Sequence, residues 1–254
     1  MLGIWSFTSP MKKILFILII SVLSAACAEK QEVFDPTAVF SRAEEYMQKG
    51  DFENARKGYQ EIQEKAPEKS YDPSLMLRIA DTYFGEEKYE EALVEYRSFL
   101  TYHPVNKQSA YAQYQLAMCS YQQLSTIDRD PGMTRTALRE FQTLITKYPR
   151  SSYEEEARKY SAICKDRLAQ YELYVARFYA KKGSYVSAIG RFTKLLDDYP
   201  GSSAEKDALY ELGESYLGVG EREKARAVLE KLSRLYPSMA EKAAALMEGA
   251  GGAP

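Results

Sequence analysis

The sequence predicts an all-α solenoid of five helical-hairpin repeats, and three observations carry that expectation. First, five prolines (Pro67, Pro104, Pro149, Pro200 and Pro237) share one upstream layout. An alanine lies twelve residues before each (Ala55, Ala92, Ala137, Ala188, Ala225), and a bulky apolar residue lies eight before (Tyr59, Tyr96, Phe141, Phe192, Leu229). Second, in four copies a small residue sits twelve before that alanine (Ala43, Ala80, Ala176, Gly213), followed three later by Tyr46, Tyr83, Tyr179 or Tyr216. Third, QKGDFENA, GEEKYEEA, KKGSYVSA and GVGEREKA separate the two halves of a copy and read as tight turns. Antiparallel helices approach closely only where small side chains meet, and an aromatic ring fills the space beside that contact. Proline has no N–H to donate and stops the second helix.

The elements follow in order. Met11-Lys12-Lys13 and the ten apolar residues ILFILIISVL (14–23) form a basic start and a short greasy core. Spanning a bilayer takes about 20 residues, so this reads as an export signal, residues 1–26; MLGIWSFTSP either extends its basic start or precedes the true start at Met11, and the second reading is preferred. Ser24-Ala25-Ala26 leads into Cys27 and resembles a bacterial lipobox, in which the cysteine is acylated and becomes the first mature residue. Leu is usual three before the cysteine, and here Ser24 stands there, with Leu23 one place further out. Ordinary cleavage after Ala26 or Ala28 and an uncleaved anchor are the alternatives. Ala28, not Asp, follows the cysteine, which resembles the enteric pattern sent to the outer membrane. Residues 27–35 are then a lipidated tether.

The array occupies 36–247, with repeats near 36–67, 73–104, 109–149, 153–200 and 206–237. It resembles the tetratricopeptide repeat. In each turn glycine is expected at a left-handed position, with acidic residues in the next helix's first turn. The proline spacings are 37, 45, 51 and 37, longer than the about 34 of that repeat. In repeat three the small residue is Ala117, twenty before Ala137, so about eight residues are inserted around STIDRDPGM (125–133). Repeat four opens with a long helix, roughly 153–181. Met239 to Met247 continues a helix, and 248–254 is a flexible tail.

Composition narrows the function. The chain of 254 residues carries 34 Lys+Arg against 36 Asp+Glu, interleaved, which argues against nucleic acid as a partner. Its 21 tyrosines suit helix seams and interfaces equally. Cys27, Cys119 and Cys164 fit no metal or disulfide framework; with Cys27 modified the other two could pair outside the cytoplasm, but 45 residues apart they read rather as buried free thiols. His103 stands before a helix-stopping proline and reads as a cap. There is no phosphate loop, nucleophile elbow or metal spacing, so neither an enzyme nor a cofactor is expected.

With the usual facing of the first helix of each repeat, the inner side presents Phe40, Glu44 and Met47, then Leu77, Asp81 and Phe84. Later repeats offer Tyr114, Met118, Tyr121, Arg177, Tyr210 and Glu214. Phe40, Leu77, Asp81 and Phe84 could accept an extended peptide with apolar and basic side chains; the alternative is packing against neighbouring helices.

IDRDP (127–131), KDRLAQYE (165–172) and KKGSYVSAIGRFTKLLDDYP (181–200) make the likeness specific. The chain resembles the BamD family, lipoproteins of the outer-membrane β-barrel assembly machine, weakly in the first two repeats and strongly from 127 onward. The resemblance implies a non-catalytic scaffold, lipid-anchored on the periplasmic face of the outer membrane. Implied partners are the periplasmic domains of a BamA-type barrel subunit, unfolded outer-membrane protein substrates and accessory assembly lipoproteins. In the family the N-terminal repeats are associated with substrate recognition, and the C-terminal repeats dock the barrel subunit. A family arginine in the FTKLLDDYP-like helix takes part in docking, and Arg191 occupies its place; reversing its charge is expected to abolish docking and leave folding unchanged. Two departures are Ser24 and an insertion before IDRDP shorter than the enteric form. A cell-division or peptidoglycan adaptor would carry the same repeats, because fold does not fix function; the stretch 127–200 separates the two readings.

Overall fold

A computed structural model describes residues 34–69 and 72–249. The expected signal peptide (1–26), Cys27, most of the expected tether and residues 250–254 lie outside the described residues. Eleven α-helices are found among the described residues, with no strand. They are α1 (Pro36–Gln48), α2 (Phe52–Lys65), α3 (Pro73–Gly85), α4 (Tyr89–Tyr102), α5 (Ser109–Gln122), α6 (Gly132–Lys147), α7 (Glu154–Lys181), α8 (Tyr185–Asp198), α9 (Glu205–Gly218), α10 (Arg222–Leu235) and α11 (Ala240–Gly249). Five hairpins, α1–α2 through α9–α10, stack in chain order, and α11 covers the last.

Local chemistry sets the helix ends. Asp35 and Asp72 each precede a proline at the first helical position. Each carboxylate accepts N–H bonds from the first turn, at 2.9 Å from Thr37 and Ser74 respectively. All five second helices stop two residues before their proline. The intervening residue has φ between −125° and −133° and ψ between 54° and 80°, because proline drives its predecessor out of the α region. His103 is one of these cap residues. Between paired helices the left-handed position is taken by Gly50, Gly183 and Gly220, but in repeat two by Glu87 at φ 60°. Gly85 does not supply it, contrary to the sequence expectation. It stays helical with the Phe52 ring against it, 2.6 Å from where a Cβ would stand. Phe52 excludes a side chain there, and the left-handed position lies two residues later, where Glu87 adopts it at a cost of about 1–2 kcal/mol.

The core is a chain of clusters shared between neighbours, as a solenoid requires. Ala55, Ala92, Ala137, Ala188 and Ala225 are fully buried, as are Tyr59, Tyr96, Phe141 and Phe192, with Leu229 nearly so. At 28 residues, α7 is about 42 Å long. Its first half packs Ala157, Tyr160 and Cys164 against α5 and α6; its second packs Ala169, Leu173 and Ala176 against α8 and α9. At the far end Ala243, Leu246 and Met247 of α11 close over Leu229 and Leu232.

Candidate docking surfaces

The first turns of α1, α3, α5 and α7 converge on a cavity of about 670 Å³, whose lining includes Phe40, Ser74, Leu77, Asp81, Lys107 and Tyr153. Three of the four expected groove residues therefore meet here. Phe40 is half-buried, its ring 5.4 Å from Tyr59. Leu77 is only 2% exposed and belongs equally to the core with Tyr96 and Leu116. Phe84 does not line this cavity and packs edge-on to Tyr89 at 5.4 Å.

The acids of this wall already have partners. Tyr59 Oη donates to Glu44 at 2.6 Å, while Tyr96 and Tyr111 donate to Asp81 Oδ1 at 2.7 and 2.8 Å. Arg78 spans both carboxylates, 2.8 Å from Glu44 and 3.4 Å from Asp81. Burial pushes the Asp81 carboxyl above its ordinary range, against the pull of the two phenols and Arg78. The wall is therefore not an open acidic surface for basic side chains. Its rim carries the half-exposed Arg78 and the exposed Lys107, and the lining is mixed, with Phe40 beside Ser74, Gln108 and Ser152.

On α8, Ala188, Phe192 and Leu195 face inward and Arg191 lies on the flank. Its guanidinium donates to Glu172 of α7 at 3.1 Å; Glu172's side chain is 10% exposed and that of Arg191 40%. Arg191 is thus neither an ordinary solvated arginine nor free of a structural duty. Charge reversal would set two carboxylates together at a nearly buried site, so the expectation of an unchanged fold for Arg191→Glu does not hold. Gly190 precedes it in mid-helix, exposed, and a Cβ there would meet nothing within 4 Å.

Sequence reasoning missed a set of tertiary ties centred on KDRLAQYE. Arg167 donates to the Ser125 carbonyl of the insertion at 2.5 Å, and Asp166 accepts from Ser203 N at 2.7 Å. Gln170 donates to Ser203 Oγ at 2.6 Å, and Glu172 holds Arg191. One segment of α7 thereby fixes the inserted loop, the α8–α9 turn and the α8 flank. Arg177, expected on the inner face, ties α7 to Asp207 and Glu211 of α9 at 2.8 and 2.5 Å. Arg56, unremarked in sequence, makes a fork to Glu86 at 2.6 and 3.2 Å and lies 4.3 Å over Tyr83. Cys119 and Cys164 are free and buried, and burial raises their thiols to about 12 and about 11. Cys27 lies outside the described residues. Among those described, no helix is long and apolar enough to cross a membrane and no acidic or sulfur cluster could hold a metal.

A helical-repeat array whose distinguishing surfaces are a groove and a helix flank is the architecture of a binding scaffold. Residues 33–246, almost the whole array, match the YfiO family, described as outer membrane lipoprotein, and the chain belongs to that family. It is similar to the outer membrane protein assembly factor BamD of Rickettsia prowazekii, at 28% identity over 87% of this chain and 90% of that one. The factor of the same name from Caulobacter vibrioides is 27% identical over 82% of this chain and 71% of that one. Among solved structures, the TPR2AB-domain:pHSP90 complex of yeast Sti1 aligns over 80% of this chain and 78% of that one. The TM-score is 0.46 and the identity 12%.

Proposed function

We propose that this protein is a non-catalytic, lipid-anchored scaffold of outer-membrane β-barrel assembly, working at the periplasmic face of the outer membrane. Membership of an outer membrane lipoprotein family across almost the whole helical array carries this reading, and the similar proteins that bear the name of assembly factor give it its process. Acylation of Cys27 supplies the anchor. The C-terminal repeats dock the periplasmic domains of a BamA-type barrel subunit through the α8 flank. Accessory assembly lipoproteins are further partners of the same scaffold.

Two features support the flank. Arg191 keeps one fork nitrogen on Glu172 while its side chain remains 40% exposed, so the other donors are open to a partner carboxylate. An exposed mid-helix glycine costs roughly 0.5–1 kcal/mol relative to alanine. No neighbour within the chain requires Gly190 to be one, but a closely approaching partner would. The N-terminal cavity is the substrate site in this reading. With Glu44 and Asp81 engaged by tyrosines and Arg78, the peptide that fits offers apolar side chains to the partly exposed Phe40 and Tyr153 and a carboxylate to Lys107.

Arg191→Gln combined with Glu172→Gln removes the docking charge without stranding its partner. Binding of this double variant to purified barrel-subunit periplasmic domains should fall at least tenfold while its melting temperature stays close to wild type. Unchanged affinity would move the docking surface elsewhere on the array.

A further inference from the structure

The turn 103–108 differs from its four counterparts. After the repeat-closing proline come Glu68, Arg150, Gly201 and Ser238 in the other repeats, polar or glycine; here it is Val105. Two before the proline stand Lys65, Lys147, Asp198 and Leu235, and here Tyr102. Val105 is 96% exposed and Tyr102 54%. Val105 is also held rigidly. Asn106 N donates to the His103 carbonyl, Ser109 Oγ donates to the same carbonyl at 2.7 Å, and the Tyr148 hydroxyl donates to the Pro104 carbonyl at 3.2 Å. Val105 and Tyr102 together put two large apolar side chains into water on one hydrogen-bonded turn, and moving them into an apolar phase is favourable.

The position of the anchor indicates what covers the turn. This turn lies on the array edge where the first helix of each repeat begins. Lys107 lines the same cavity as Phe40 and Ser74 from the first turns of α1 and α3. The tether leaves from that edge, since Phe34 packs against the first cluster with Lys65 5.3 Å above its ring. Six residues separate Phe34 from Cys27, a reach of at most about 25 Å even fully extended. An acylated Cys27 therefore keeps the repeat-one end of this edge within that reach of the headgroups. Tyr102 and Lys107 flank Val105 with the residue types that settle at such a boundary, a ring with a polar tip and a long stem with a charged end.

We infer that the 102–107 turn is a membrane contact: Val105 enters the headgroup–acyl boundary of the leaflet that carries the anchor, with Tyr102 and Lys107 beside it. It rests on the reading that Cys27 is lipidated, and adds to it a fixed orientation of the array.

The mature chain lends itself to the test, because the single tryptophan of the sequence is Trp5, before the signal's apolar core. Lipidated protein carrying Val105→Trp is reconstituted into phosphatidylethanolamine–phosphatidylglycerol vesicles, with Lys49→Trp, on the opposite edge of repeat one, as reference. The emission of the Val105→Trp protein should shift to the blue and lose most of its intensity in vesicles brominated along the acyl chains, while the reference stays water-like. Water-like, unquenched emission from both would overturn the inference. So would equal quenching of both, and so would a blue shift without bromolipid quenching, which would mean that a second protein copy covers the turn. Protein that fails to float with the vesicles would overturn the anchoring reading and this inference with it; floating protein with an unquenched reporter overturns this inference alone.

Discussion

Two substitutions two residues apart on α8 should move stability in opposite directions. Ala188 is fully buried where α7 and α8 cross, among Leu173, Ala176 and Phe192. Replacing it with Leu adds three carbons where there is no open surface, and forcing extra methylenes into a packed contact costs about 1–3 kcal/mol. For a chain of this size that lowers the melting temperature by roughly 2–12 °C. Gly190, on the exposed face, has open space around its missing Cβ and a helical φ. Gly190→Ala should stabilise by about 0.5–1 kcal/mol, because alanine loses less backbone freedom on folding. Calorimetry gives the sign of each change. Amide exchange gives its location, since repeat arrays couple mainly to nearest neighbours and the effect should concentrate in α7, α8 and α9. An unaltered melt for Ala188→Leu, or loss of protection confined to α1–α4, would refute the helix pairing on which the account rests.

Three further outcomes follow from the same contacts. The Arg56 hydrogen bond holds the Glu86 carboxyl below its ordinary value of 4.5, so its stabilisation is present above that value and is lost as pH falls through the depressed one. Glu86→Gln should be less stable than wild type at pH 7, and the gap, followed by urea titration, should close in acid. Tyr96→Phe removes one of the two phenolic donors to Asp81 and should cost about 1.5–3 kcal/mol, as for a hydrogen bond to a charged group; an unchanged denaturation midpoint would mean that the wall is not wired as described. With thiols raised to about 12 and about 11, Cys119 and Cys164 should resist a thiol reagent at pH 8 until the protein unfolds, and rapid labelling of the native chain would contradict their burial.

Much of the array was legible because its determinants are local. The alanine and aromatic spacings report one helix crossing within a repeat, and Asp-Pro at 35–36 and 72–73 marks two helix starts without tertiary information. What escaped depends on contacts between repeats. Gly85 stays helical with Phe52, from the preceding hairpin, against it, and the left-handed position falls two residues later on Glu87. The Glu172–Arg191, Asp166–Ser203 and Arg167–Ser125 ties join residues 19, 37 and 42 apart, and no periodicity reports such pairs. Their only sequence trace was that KDRLAQYE stood out as a motif. The groove was half legible. The position after the small residue reads Glu44, Asp81 and Met118 in repeats one to three, and the position eight before the proline reads Tyr59, Tyr96 and Phe141. The hydroxyl is present in the two repeats where a carboxylate faces it and absent where methionine does, a pairing visible once the repeats are aligned on their prolines. Arg191 was placed on the correct flank by helical spacing, but its dependence on Glu172 needed the fold.

Affinity purification of the full lipidated protein from detergent-solubilised outer membranes, with the co-purifying chains identified by mass spectrometry, tests the central claim most directly. A β-barrel subunit with periplasmic domains should be recovered in amounts comparable to the bait and lost in the Arg191→Gln/Glu172→Gln variant, with an acylated Cys27 at the mature N-terminus. Recovery of cell-division or peptidoglycan proteins in its place, with no barrel subunit present, would contradict the claim.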